Sequence, residues 1–163
     1  MHRDDTREHE LFCAWVAGFV DGEGCLTITR SRNKVGTWTF TPVVVIANTV
    51  RAPLDEIHRR AGVGSVNTRP RPAPFKTQYQ YTVGSQNAQR FIRAIRPYLR
   101  VKGAQADILL RFVALDRSTS GGRRADQRAN YAVRRAPQVG LYEEVRALNK
   151  RGMPLDDPLS SHP

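Results

Sequence analysis

The chain has 163 residues, 40% of them hydrophobic, which is enough for one domain built around one core. Lysine and arginine number 26 against 15 acids, for a formal net charge of +11, and an excess of that size is the footprint of a polyanionic partner, nucleic acid being the usual one. Cys13 and Cys25 form no CxxC pair, the histidines are scattered and the longest apolar run, Val43 to Ala47, is short, which argues against a disulfide framework, a structural zinc site and a membrane span.

Lys34, Lys76, Lys102 and Lys150 are the only lysines. Arginine makes bidentate contacts with phosphate and guanine that lysine cannot copy, although a GC-rich genome produces the same bias. The N-terminal stretch is polar and lacks the apolar centre of a signal peptide. The expected location is therefore the cytoplasm of a bacterial or phage host, with an organelle as the alternative.

In chain order, Leu11, Phe12, Trp15, Val16, Phe19 and Val20 recur at three- and four-residue spacing and predict a helix over residues 7–21, ended by Gly22 and Gly24. The period then changes to two. Leu26 and Ile28 alternate with Cys25, Thr27 and Thr29 in a strand to about Arg32, and Trp38, Phe40, Val44 and Ile46 mark a second strand after the polar turn 31–36. Pro42 cannot donate to a ladder, so an edge position or a bulge is expected there. A helix over residues 50–61 stops at Gly62 and Gly64. Strands over 63–69 and 75–83 flank a segment containing Pro70, Pro72 and Pro74. Helices follow over 86–95 and 104–115, the latter with Ile108, Leu109, Phe112 and Val113 inward. Residues 118–135 hold Gly121, Gly122 and several arginines, and read as a flexible basic arm. Gln138 to Asn149 is a terminal helix within 136–152, and 153–163 is a tail. The order αββαββα plus C-terminal helices predicts a single α+β domain over 1–163, with its core at about 7–117: a saddle-shaped, four-stranded antiparallel sheet covered by helices on one side.

Alternation sorts the strand side chains into two faces. Leu26, Ile28, Trp38, Phe40, Tyr79, Tyr81 and Val83 face the core. Thr27, Thr29, Ser31, Thr39, Thr41, Asn67, Arg69, Gln78 and Gln80 face outward, and such hydroxyls, amides and Arg are the groups that read base edges in the major groove. Arg30, Arg32, Arg71 and Lys76 lie at strand ends, where phosphate contact is expected. A solvated sheet face is the plain alternative, but the face is low in acids.

The segment Val16-Ala17-Gly18-Phe19-Val20-Asp21-Gly22-Glu23-Gly24 resembles the LAGLIDADG motif of homing endonucleases. Its changes are apolar for apolar, small for small and acid for acid. The resemblance extends over about residues 10–117, through Ala61-Gly62-Val63-Gly64 and through Pro97-Tyr98-Leu99-Arg100-Val101-Lys102 with Gln105. Ala14 and Gly18 lie one turn apart, and small residues there let the helix pack closely on a second copy, bringing two C-terminal ends and their acids together. Two such ends suit divalent cations, which prefer oxygen ligands.

The resemblance implies a homodimer, because a second motif is absent, with Ala14, Ala17 and Gly18 at the interface. It implies that Glu23 and the Gly22 carbonyl hold the metal, Mg²⁺, with Mn²⁺ or Ca²⁺ able to occupy the same site. Asp21 takes a supporting role in the catalytic set. Lys102 is either a solvated lysine near a helix start or a cation of the catalytic pocket, and the resemblance favours the pocket. Asn48, with Ala47 as the alternative, falls near the family's water-holding position, or else caps the next helix; Arg51 borders the same pocket. The implied activity is metal-dependent cleavage of both strands of a long, pseudo-palindromic DNA site, leaving short 3′ overhangs, as in intron homing. An RNA-splicing maturase and a non-catalytic DNA-binding regulator on the same fold are the rival readings, and no membrane is involved.

Overall fold

A computed structural model describes residues 3–118, except 35 and 37, and residues 131–150. Helix α1, Arg3–Glu23, is longer than the apolar periodicity at both ends. Its first turns are polar, so they carry no periodic signal, but Asp4 and Asp5 complement the positive end of the helix dipole. At the other end Gly22 remains helical, and the chain leaves the helix at Gly24. A Cβ on Gly24 would lie 2.6 Å from the Val20 carbonyl oxygen, so only glycine allows this immediate turn from helix into strand.

Strands β1 (Gly24–Arg32), β2 (Trp38–Asn48), β3 (Ser65–Arg69) and β4 (Gln78–Gly84) form one antiparallel sheet in the order β1-β2-β4-β3. β2 is thus central, although Pro42 predicted an edge or a bulge. The two facts are compatible because the β2–β4 ladder begins at the Val43↔Gly84 pair, leaving Pro42 one residue past its end. β3 starts later than expected. Gly62 (φ 65°) ends helix α2 (Ala52–Ala61) in the left-handed conformation, and Gly64 (φ 84°) packs where a Cβ would be 2.7 Å from the Thr82 carbonyl. β4 also starts later, because residues 70–77 are a proline-rich loop in which Phe75 is exposed.

Helices α3 (Ser85–Ile95) and α4 (Gly103–Ser118) follow, separated by a 3₁₀ turn at Arg96–Tyr98. Helix α5, Tyr131–Leu148, begins inside the segment expected as a basic arm. Leu141 and Val145, one turn apart and buried, anchor it, and Arg134, Arg135 and Ala136 are good helix formers that carry it backwards despite the bond forfeited at Pro137. The rest of that arm, residues 119–130, and the tail 153–163 lie outside the described residues.

One core joins the helices to one face of the sheet: Val16, Ala17 and Val20 of α1, Leu26, Ile28, Val44, Ile46, Tyr81 and Val83 of the strands, and Ile92, Leu109, Phe112 and Val145 behind them. Just beyond α5, Asn149 donates from Nδ2 to the Leu26 carbonyl at 2.8 Å, tying the C-terminal helix to edge strand β1. The fold is therefore α+β, with the other sheet face left uncovered by this core.

Candidate functional site

The last turn of α1 presents two acids with different fates. The Asp21 carboxylate accepts backbone N–H bonds from Arg100 (2.7 Å), Lys102 (2.9 Å) and Val101 (3.2 Å). Burial pushes its carboxyl up, but the three N–H groups and the Lys102 charge outweigh it and hold the group below the ordinary carboxylate range. Asp21 was expected in the catalytic set; the structure makes it a positioning residue that fixes the turn entering α4. Lys102 returns the contact. Its ammonium donates to the Val20 carbonyl at 3.0 Å and to the Asp21 carbonyl. A cation on the negative end of a helix dipole is favourable, and a solvated lysine would not be held there. Glu23, two residues on, is exposed.

The strand register decides between Asn48 and Ala47. Gly24 pairs with Ile46, so Ala47 is the next residue outward on β2, on the uncovered face opposite Gln80. Asn48 pairs with Tyr79 on the helix-covered face, and its Oδ1 accepts the Val50 N–H at 2.8 Å, a local turn ahead of α2, whose N-cap is Arg51 and has no side-chain cap bond. Arg51 is paired with Asp55 at 3.0 Å and lies 5.8 Å from the Tyr79 ring. Their described contacts run to Val50, Asp55 and Tyr79.

The uncovered sheet face contains the expected polar readers. Thr29 bonds to the Thr41 carbonyl at 3.2 Å, and Ser31 and Thr39 share a hydrogen bond of 2.9 Å. Thr27, Asn67, Arg69, Gln78 and Gln80 have the same parity. Arg30 and Arg32 do not. They pair with Phe40 and Trp38, on the parity of Leu26 and Ile28, and stack on Trp38 at 4.4 and 4.5 Å, Arg30 also lying 5.5 Å from Tyr142 of α5. They were expected at strand ends, apart from the threonines, and the ladder places both in the outer half of β1. Arg71 and Lys76 sit in the exposed β3–β4 loop, Arg71 stacked 4.8 Å over Phe75.

Sequence reasoning missed the middle of this face. Val43 and Val45, half-buried, point outward between Val44 and Ile46, which are buried, with Cys25, Thr82 and Ser65 beside them. The apolar run 43–47 was read only as too short for a membrane span, but continuing the parity of Thr39 and Thr41 places Val43 and Val45 on the outer face. The sequence has no acid between Glu23 and Asp55, nor between Glu56 and Asp107, so all four strands are free of carboxylates.

Helix α1 has its own uncovered stripe. Leu11 (63%) and Trp15 (41%) are exposed with Ala14, Gly18 and Gly22, and a Cβ on either glycine would meet nothing within 4 Å. Ala17, expected at a partner interface, is fully buried in the chain's own core, because 100° per residue turns it inward with Val16 and Val20. Among the described residues no group of three or more His, Cys, Asp or Glu could hold a metal. The oxygen donors at the end of α1, the Glu23 carboxylate and the Gly22 carbonyl, fit a hard divalent cation in kind but are too few in one chain. No helix among the described residues is long and apolar enough to cross a membrane.

Residues 16–110 match the family model described as LAGLIDADG endonuclease, more than half of the chain. The DNA endonuclease I-CvuI of Chlorella vulgaris is 29% identical over 108 residues, which is 64% of this chain and 65% of that protein. The chain thus spans about two thirds of that relative's length. Among solved structures, I-CvuI in complex with its target in the presence of Ca superposes with a TM-score of 0.69 at 22% identity, covering 90% of this chain and 87% of that one. The archaeal intron-encoded homing endonuclease I-Vdi141I, complexed with DNA, gives a TM-score of 0.67 at 17% identity, covering 88% and 87%.

Proposed function

The chain belongs to the LAGLIDADG endonuclease family, and from that premise we propose that it is a homodimeric, site-specific endonuclease that cuts both strands of a long, pseudo-palindromic DNA. The observation that carries this reading is the convergence of two surfaces on one acid. Glu23 stands where the exposed small-residue stripe of α1 meets the acid-free face of the sheet. A second copy packed along the stripe would bring a second Glu23 to the two-fold axis, and two sheets would then line one continuous groove.

When bound, Mg²⁺ between the two helix ends would activate water and stabilise the leaving oxygen. Glu23 and the Gly22 carbonyl would hold it. Lys102, with its ammonium on the carbonyls of Val20 and Asp21, places a positive charge beside the same helix end, where it would favour charge developing on phosphate. Asp21 keeps that lysine in place by fixing the backbone of residues 100–102. The outer strands bind and orient the duplex, so that one phosphodiester of each strand is presented and short 3′ overhangs result.

The test is incubation of the purified protein with a randomised duplex library, with Mg²⁺ or EDTA, followed by sequencing of the cut ends. Paired cuts centred on a site of about 20 base pairs support the reading. Sequence-selective binding without cuts in Mg²⁺ would make the chain a regulator, and selective binding of structured RNA without duplex cleavage would make it a maturase.

A further inference from the structure

We propose that Gln80 is not itself a base reader but the positioning residue of Arg69, and that the two side chains with Thr82 act as one unit that selects guanine in each half-site. The inference rests on the endonuclease reading only for the identity of the duplex. Arg69 lies on β3 opposite Gln78, and Gln80 on the neighbouring strand β4 is its diagonal neighbour two pairs along the ladder, both on the uncovered face. The Arg69 Nε–H donates to Gln80 Oε1 at 3.2 Å, and Gln80 Nε2 donates to the Thr82 hydroxyl at 3.3 Å. This chain of bonds has a direction. The Arg69 Nε–H can only donate, so it fixes which end of the Gln80 amide carries the oxygen, and the Nε2 end then donates to the Thr82 hydroxyl.

Two consequences follow from the donor inventory. A guanidinium held by Nε projects its two terminal nitrogens as a fork, the geometry that bonds to guanine O6 and N7 together. An adenine-reading glutamine turns its own oxygen and nitrogen to the N6 and N7 of the base, and here one lone pair of Oε1 and one hydrogen of Nε2 are already committed to Arg69 and Thr82, which sets the plane of the amide. The amide therefore serves orientation. A flexible arginine loses side-chain freedom on binding, and a buttress that removes part of that freedom beforehand raises discrimination without adding a base contact.

The experiment compares binding preferences of full-length wild type, Arg69→Ala, Gln80→Leu and Gln80→Glu by enrichment from a randomised duplex library, with cleavage in Mg²⁺ scored separately. The wild type is expected to require guanine at one position of each half-site, and Arg69→Ala to lose that preference by about 5- to 150-fold. Gln80→Leu should weaken preference at that same position by about 3- to 10-fold and leave the other positions unchanged. Gln80→Glu keeps an oxygen on Nε and should restore the guanine preference, which a merely structural role for Gln80 would not do. Loss of an adenine preference at a different position in Gln80→Leu would overturn the proposal by making Gln80 a reader. So would a uniform loss of affinity in Arg69→Ala with a shallower salt slope, the signature of a phosphate contact. Absence of any guanine preference in the wild type also overturns it, whether or not DNA is cut, while guanine selection without cleavage supports it and counts against the endonuclease reading alone.

Discussion

Replacement of Asp21 by alanine separates a structural acid from a reacting one. In the wild type its carboxylate accepts three backbone N–H bonds, from Arg100, Lys102 and Val101, at 2.7, 2.9 and 3.2 Å. A hydrogen bond to a charged group contributes about 1.5–3 kcal/mol, but Asp21 is half-exposed and water will re-solvate part of what is freed, so the expected loss is about 2–4 kcal/mol rather than the full sum. For a chain of this size that lowers Tm by roughly 5–15 °C. The pH dependence has a definite sign. Because the folded state holds the Asp21 carboxyl below its ordinary value, the stabilisation is fully present above the unfolded value, about 3.9, and is lost as pH falls through the folded one. Thermal unfolding of wild type and Asp21→Ala, from neutral pH down to about pH 3, should therefore give two curves that are furthest apart at neutrality and converge in acid. A gap below about 0.5 kcal/mol at pH 7 would refute the clamp. A variant as stable as wild type that fails to cut DNA would return Asp21 to the catalytic set.

Glu23→Gln should leave the melting temperature and DNA affinity near wild type while abolishing cleavage in Mg²⁺; filter binding and a plasmid-cutting assay together decide it, and near-normal cutting would remove Glu23 as the metal ligand. Lys102→Met should cost about 1 kcal/mol of stability through the lost contact with the α1 carbonyls, and lower single-turnover cleavage far more than affinity; equal losses of binding and cutting would make the lysine a phosphate anchor. Gly18→Leu should fold, since a Cβ there meets nothing within 4 Å in its own chain, but should sediment as a monomer or a distorted dimer and cut at most one strand. A wild type that stays monomeric on DNA would remove the two-fold axis altogether.

The sheet was legible because strand parity leaves a direct mark in sequence. Leu26 and Ile28, then Tyr81 and Val83, alternate with polar residues and are buried as their period requires. Where parity was not followed through, side chains were left without a face. Arg30 and Arg32 were placed only at strand ends, for phosphate contact, and their even numbers put them with Ile28 and in contact with Trp38. Val43 and Val45 were given no face, and their odd numbers put them with Thr41. On α1 the same neglect of angle placed Ala17 beside Gly18, although 100° separates them. The Asp21–Lys102 contact was not legible in any such way. Those residues are 81 positions apart, and nothing local to either segment says that the helix end and the turn before α4 meet. Lys102 entered the candidate set through the family resemblance, which gave Asp21 a supporting role without saying what it supports.

The division between those acids bears on why the proposed activity would call for a metal. The carboxylate of Asp21 is compensated locally by three N–H dipoles and by the Lys102 ammonium. Glu23 has no such compensation among its described contacts, and the acids at the start of α1, Asp4, Asp5, Glu8 and Glu10, are about 20–30 Å away along a helix that rises 1.5 Å per residue, beyond the Debye length at physiological salt. Each helix end thus carries close to one unbalanced negative charge plus its own dipole. In the proposed dimer two such ends meet at the axis, and DNA adds the phosphates of both strands. Two like charges about 5 Å apart at an effective dielectric of 20 repel by roughly 3 kcal/mol, enough to shift a dimer equilibrium by a hundredfold. Divalent cations at that axis would convert this repulsion into attraction. Cation binding, closure of the dimer and engagement of DNA are then linked steps of one equilibrium, since each supplies or neutralises charge at the same point.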